Sequence, residues 1–188
     1  MPIKRILQKI FCQSHTFSSA FSLIEMLVYI SILAVIFILV VSTTLSFTSS
    51  YRMLAALRAA DHAGIDALEP MTRAIRAAGS VLTTQSVLGS NPGTLALYEA
   101  HNGDSTTTQF NLQNGVVEMA VTVNGVADAA LSGPLTSTSA TVTSLVFNVL
   151  STSTASAVKI DMTAVGISGA VSESKNFHDT IVLRGSTS

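Results

Sequence analysis

The chain has 188 residues, enough for one domain of ordinary size plus an appended segment. Charged residues make up only 11% of it, and the formal net charge is −1. The sequence has no cluster of basic residues that could neutralise nucleic-acid phosphates, so nucleic-acid binding is not predicted. Its one cysteine, Cys12, has no partner for an internal disulfide.

A short basic leader precedes a long apolar run. Lys4, Arg5 and Lys9 lie before residues 23–41, and no acidic residue occurs in the first 20 positions. The seven basic and eleven acidic residues that follow give the rest of the chain a charge of −4. As a helix, residues 23–41 would be roughly 28 Å long, close to the thickness of a bilayer's hydrocarbon core. This run is longer than the apolar core of a secretory signal, so we predict a membrane-spanning helix with its N-terminus in the cytoplasm.

An acidic residue, Glu25, lies near the start of this run. A charged side chain deep in a membrane helix costs about 2.5–3.5 kcal/mol, and less near the interface. One interpretation is that Glu25 lies at headgroup depth and extends towards water. The other is that it pairs with a cation, because a buried charge is tolerated when it is paired. Cleavage between Ala20 and Phe21 would create such a cation, the α-amino group of Phe21.

The leader, the small residue Ala20 and the following "FSLIEMLVYISILAVIFILVV" resemble the N-terminal signal of type IV prepilins and type II secretion pseudopilins. The resemblance covers about 30 residues. It implies that a prepilin peptidase/N-methyltransferase cuts after Ala20 and methylates the amine of Phe21. It also implies that Glu25, at the fifth mature position, pairs with the N-terminal amine of an adjacent subunit during filament assembly. The family usually has glycine before the cut, where this chain has Ala20.

The same resemblance implies partners and a location. The partners are the peptidase, other pilin or pseudopilin subunits, an assembly platform in the inner membrane, and membrane lipid. The protein is expected to cross the inner membrane once, with its C-terminal part outside, before entering a filament in the periplasm or at the cell surface. No cofactor is implied.

The helical pattern continues well past the apolar run, and we predict one helix over about 22–78. Glu69 and Arg73 have the spacing of a favourable ion pair on a helix. Pro70 is expected to kink the helix or start a new turn, and Gly79 to end it. An apolar stripe with spacings of three, four and seven residues predicts the buried side of this helix: Leu57, Gly64, Leu68, Met71 and Ile75.

The remainder of the chain has the pattern of β-strands. Asn-Gly pairs, which favour tight hairpins, separate three strands within residues 94–123. Three further strands are predicted at 143–150, 156–165 and 178–185, with "GISGA" at 166–170 as a turn. Alternation is clearest where Val158, Ile160 and Met162 are interleaved with polar residues.

These patterns predict an α+β protein, with a long N-terminal helix packed on a C-terminal antiparallel β-sheet head. The predicted parts are a leader (1–20), a transmembrane and assembly helix (21–42), an amphipathic continuation (43–79) and the head (80–188). The segment "ALEPMTRAIRAAGSV" and the closing "FHDTIVLRG" resemble the larger minor pseudopilins, the J component of type II secretion and its W-type counterpart in pili.

An enzyme is not predicted, because the titratable residues do not converge on one place in the sequence. His62, His101 and His178 are far apart and lack metal-ligand spacing, so each is expected to be a solvated surface residue. Asp104 in "HNGDSTTT" could contribute to a calcium site, but calcium loops normally have more carboxylates at close spacing.

Three functions follow, of which the first is preferred. It is a minor pilin or pseudopilin subunit, processed after Ala20 and assembled through its apolar helix. The second is a signal-anchored membrane protein that does not polymerise and whose β-rich head binds a partner. The third is a secreted enzyme released by cleavage near residues 42–50, for which the sequence supplies no active site.

Overall fold

The computed structural model describes residues 22–101, 103–152 and 155–184. The chain forms two compact units, of which the first ends at Ser46 and the second is Phe47–Ser188. Each unit is described separately below. The leader, Ala20 and Phe21 lie outside the described residues.

One helix covers the predicted helical stretch of about 22–78 to within one residue at each end. Helix α1, Leu23–Ala77, has 55 residues and continues through Pro70 without a break. Ser22 begins it, because the Ser22 carbonyl accepts hydrogen bonds from the amides of Glu25 (2.9 Å) and Met26 (3.2 Å). After the helix ends, the amide of Gly79 donates to the carbonyl of Tyr98, at 2.9 Å, and the chain enters the first strand.

The first sheet of the second unit is the predicted meander with short additions. Its order is β1-β2-β3-β4-β5, all antiparallel, and β6 also pairs with β4. Asn114 and Asn124 have positive φ angles of 51°, each followed by a glycine with a positive φ, as an Asn-Gly hairpin requires. The strands are β1 (Ser80–Val81), β2 (Thr94–His101), β3 (Asp104–Gln113), β4 (Val116–Val123), β5 (Val126–Ala127) and β6 (Gly133–Pro134).

The second sheet has three long antiparallel strands in the order β7-β8-β9. They are β7 (Ala140–Ser151), β8 (Ser156–Ser168) and β9 (Val171–Val182). The predicted alternation in β8 is confirmed, since Val158, Ile160 and Met162 are buried. The closing strand was predicted at 178–185, but β9 begins at Val171, directly after the turn at Gly169 and Ala170.

The second half of α1 packs on these sheets through small side chains. Gly64, Met71 and Ile75 of the predicted stripe are buried, whereas Leu57 and Leu68 are partly exposed. Alanines fill the rest of the buried line, so the backbones of helix and sheet approach closely. A Cβ atom built on Gly166 of β8 would lie 1.9 Å from the carbonyl oxygen of Ala56. The architecture is therefore α+β, with a core that includes Met71, Ile75, Phe110, Leu145, Phe147 and Ile160.

Candidate functional site

The N-terminal end of α1 places Glu25 in the first helical turn. The Glu25 carboxylate accepts a hydrogen bond from the hydroxyl of Tyr29, one turn later, at 3.4 Å. A helix N-terminus favours negative charge, because the unpaired amides and the helix dipole are positive there. Within the described residues, no ion pair involves Glu25.

The surface around Glu25 is apolar and exposed. Leu23 is 84% exposed, Ile24 67% and Met26 53%, and every residue of α1 from 23 to 54 is exposed. Among the described residues, α1 is the one helix long and apolar enough to cross a membrane. An apolar surface of this length needs lipid or other apolar chains around it, because exposing it to water is costly.

Most of the hydroxyl groups along this part of α1 bond to its own backbone. Ser31 donates to the Leu27 carbonyl at 2.8 Å, and Thr43 donates to the Leu39 carbonyl at 2.8 Å. Such bonds satisfy a polar group without water, which is how membrane helices carry serine and threonine. Ser42, Thr44 and Ser46 bond in the same way. A carboxylate cannot donate a hydrogen bond to a helix carbonyl, so Glu25 differs chemically from these hydroxyl groups.

Of the residues predicted to form the charge-pairing site, Glu25 alone is among the described residues. Glu25 lies at the exposed apolar start of α1. Ala20 and Phe21, predicted as the cleavage site and the methylated residue, lie outside the described residues. Tyr29 is an addition, which could have been found from the sequence because residues four apart share one face of a helix.

No protein-family model, curated protein or solved structure matches this chain. The functional argument therefore rests on the residues and their geometry.

The three histidines have different surroundings. His62 and His101 are exposed, as predicted. His178 is also exposed, but its Nδ1 atom lies 2.6 Å from Oδ1 of Asp161. Lys159 Nζ lies 3.0 Å from the other oxygen of Asp161. The sequence interpretation missed this cluster because it began the last strand at 178, so the register that places Asp161 opposite His178 was not available.

Asp104 has a structural role in a hairpin. Its Oδ1 atom accepts a hydrogen bond from the side-chain amide of Asn124 at 2.8 Å. Asn124 Oδ1 in turn accepts from the amide of Ser105 at 2.9 Å. These bonds fix the ends of β3 and β4 beside each other.

The hydrogen bonds from His178 and Lys159 lower the pKa of Asp161 below its ordinary value of 3.8. A carboxyl group whose pKa is lower in the folded than in the unfolded state stabilises the fold at pH values above its unfolded-state pKa. This contribution is lost as the pH falls below about 4. We expect Asp161→Asn to cost less than about 1 kcal/mol near pH 6, because the group is partly exposed. This loss of stability should shrink towards pH 2. It is measured as the difference between the urea midpoints of the wild type and the variant. His178→Gln should reduce the pH-dependent difference, and a difference that is constant with pH would contradict this assignment.

Proposed function

We propose that this protein is a structural subunit of a type IV pilus or a type II secretion filament. A prepilin peptidase removes residues 1–20 and methylates the amine of Phe21. The mature chain then enters a filament through its apolar helix, as a minor pilin or pseudopilin. Within that family, the sequence resembles the J-type and W-type minor components.

The observation that carries the proposal is the carboxylate of Glu25, which has no ion pair among the described residues and lies at the start of an exposed, membrane-length apolar run. A charge pair with a neighbouring subunit would give this group a partner that appears only after cleavage. The α-amino group of Phe21 lies four residues before Glu25 in the sequence. In a bundle of identical helices, the amine of one subunit can reach the carboxylate of the next, which makes the buried charge tolerable.

The basic leader supports the membrane orientation. Lys4, Arg5 and Lys9 favour the cytoplasmic side, so the second unit lies outside the inner membrane. Assembly then takes subunits from lipid into a filament with the help of the peptidase and an inner-membrane assembly platform.

The decisive experiment is to determine the N-terminal residue of the protein recovered from native membranes, by intact mass and N-terminal peptide analysis. A chain that begins at Phe21 with an extra methyl group on its amine is the expected result. A chain that still begins at Met1 would overturn the proposal.

Position 20 provides a direct test of processing. We expect Ala20→Arg to block cleavage, because a long cation replaces the small residue that precedes the cut. Ala20→Gly is the matched control and should be processed at least as well as the wild type, since glycine is usual in the family. The measurement is the ratio of precursor to mature protein in membranes, and normal processing of the arginine variant would place the cut elsewhere.

A second candidate is a signal-anchored protein that does not polymerise and whose β-rich head binds a partner outside the membrane. It is favoured by the compact second unit, which has its own hydrophobic core between Ala63 and Leu183. This protein would remain membrane-bound in full-length form, and Glu25 would be dispensable for its function.

A further inference from the structure

Strand β9 leaves one long edge of the second sheet open. The Leu183 amide donates to the Ser156 carbonyl of β8 at 2.9 Å, so odd-numbered residues direct their backbone groups towards β8. The backbone groups of the even-numbered residues therefore point away from the sheet: Ser172, Ser174, Asn176, His178 and Thr180. In the described part of the chain, no strand pairs with this edge.

One position on the edge is already occupied. The Thr180 amide donates to Oδ1 of Asp179 at 2.8 Å, and Oδ2 of Asp179 accepts from the Thr72 hydroxyl at 3.3 Å. Pairing with a further strand is therefore possible from Ser172 to His178 and stops at Thr180. Unpaired edges of this length are the usual templates for strand addition.

A groove on α1 runs beside the open edge. Thr72, through its bond to Asp179, fixes this face of the helix next to β9. Ile65, Leu68 and Glu69 line the groove before Thr72, and Arg73 and Arg76 line it afterwards. Ile65 is 59% exposed, so the first part of the groove offers apolar contact to a side chain that enters it.

The groove becomes basic where the pairing stretch ends. A second hollow shares Arg73 and Arg76 with the first and is also lined by Ala77 and residues 180–184. Arg73 is paired with Glu69 at 2.9 Å, and within the described residues Arg76 has no ion pair. The surplus of positive charge at this end favours an anionic group on whatever lies in the groove.

We propose that β9 and this groove bind an extended segment of another protein by strand addition. The segment pairs with Ser172–His178, places apolar side chains on Ile65 and Leu68, and carries an acidic side chain that reaches the arginines. This inference does not depend on the proposed filament function, since it concerns the second unit alone.

The test uses a labelled peptide, Glu-Thr-Val-Thr-Val-Thr-Val-Thr-Glu, whose symmetry makes it insensitive to strand direction. Binding to the full-length protein in detergent micelles is followed by fluorescence anisotropy at low salt. We expect the peptide with glutamate at both ends to bind about ten-fold tighter than the same peptide with lysine at both ends. Arg76→Glu should abolish that preference, whereas Arg58→Glu, on the same helix but outside the groove, should preserve it.

The backbone part of the proposal has its own controls. Ser174→Pro removes an outward amide without removing a bond to β8, and should abolish peptide binding, whereas Ser174→Ala should not. A peptide N-methylated at every amide should also fail to bind, which tests pairing without changing the protein. Equal binding of the acidic and basic peptides, or binding that survives N-methylation, would overturn the proposal. Self-association that depends on Ser174, without peptide binding, would also overturn it by assigning the edge to a second copy.

Discussion

The substitution Gly166→Ala is expected to lower the unfolding temperature of the second unit by roughly 10 °C, corresponding to about 3 kcal/mol. The added Cβ would lie 1.9 Å from the Ala56 carbonyl oxygen and 2.7 Å from the Ala60 amide nitrogen. Both are backbone atoms of α1, so neither can move aside by changing a rotamer. The helix and β8 must separate, which loosens the contacts of the neighbouring core.

Two other glycines provide graded controls, measured by thermal unfolding of the full chain in detergent. Gly79→Ala should have a small effect, because the nearest atom, the Tyr98 carbonyl oxygen, is 3.7 Å away. Gly64→Ala should be intermediate. Its Cβ would meet the Phe177 ring at 2.2 Å, but a side chain can shift, and alanine favours the helix by about 1 kcal/mol. Equal unfolding temperatures for Gly166→Ala and Gly79→Ala would contradict the close approach of helix and sheet.

The substitution Glu25→Gln should leave membrane insertion intact and reduce the amount of protein in filaments at least about ten-fold. Glutamine has nearly the same shape, so the change removes the charge and keeps the packing. The amine of a neighbouring Phe21 then loses its counter-charge in an apolar environment, where breaking one side of an ion pair costs about 3–5 kcal/mol. Subunits would accumulate in the membrane instead of entering the filament.

The matched control is Tyr29→Phe, which removes the hydroxyl that bonds to Glu25 but keeps the carboxylate. It should assemble nearly as well as the wild type. The measurement is the fraction of protein in sheared or purified filaments relative to the membrane fraction. If Glu25→Gln enters filaments as efficiently as the wild type, the pairing of Glu25 with an amine is wrong.

The elements with strong local signals were predictable from the sequence. The apolar run and the alanine-rich pattern after it predicted α1 almost to its last residue. The Asn-Gly pair at Asn114 predicted the hairpin between β3 and β4, because a positive φ angle suits asparagine. The ion pair of Glu69 with Arg73 also follows from spacing alone.

The less predictable parts depend on tertiary contacts. The first half of β9 is polar in sequence because it lies at an edge, where its side chains are at most partly buried and need not be apolar. Leu57 and Leu68 appeared to be better core residues than Ala60 and Ala63, but the close approach of β8 leaves room only for small side chains. The division of the strands into two sheets is set by the path of residues 128–139, which carry weak local signals.

Glu25 could be singled out from the sequence, whereas the cluster around Asp161 could not. Glu25 was identified because a carboxylate is costly in an apolar run, and that argument does not depend on three-dimensional contacts. The cluster of Asp161 with His178 and Lys159 depends on strand register, which a one-residue error would change.

The order of the strands has a consequence for the speed of folding. Every strand pairs with a sequence neighbour, apart from the short β6, which returns to β4. Each sheet can therefore form by closing short loops, in microseconds to milliseconds. The contact of Ala56 with Gly166 joins distant parts of the chain and cannot form before β8 exists. We expect the docking of α1 on β8 to be the slow step of folding. Until α1 docks, its second half stays exposed.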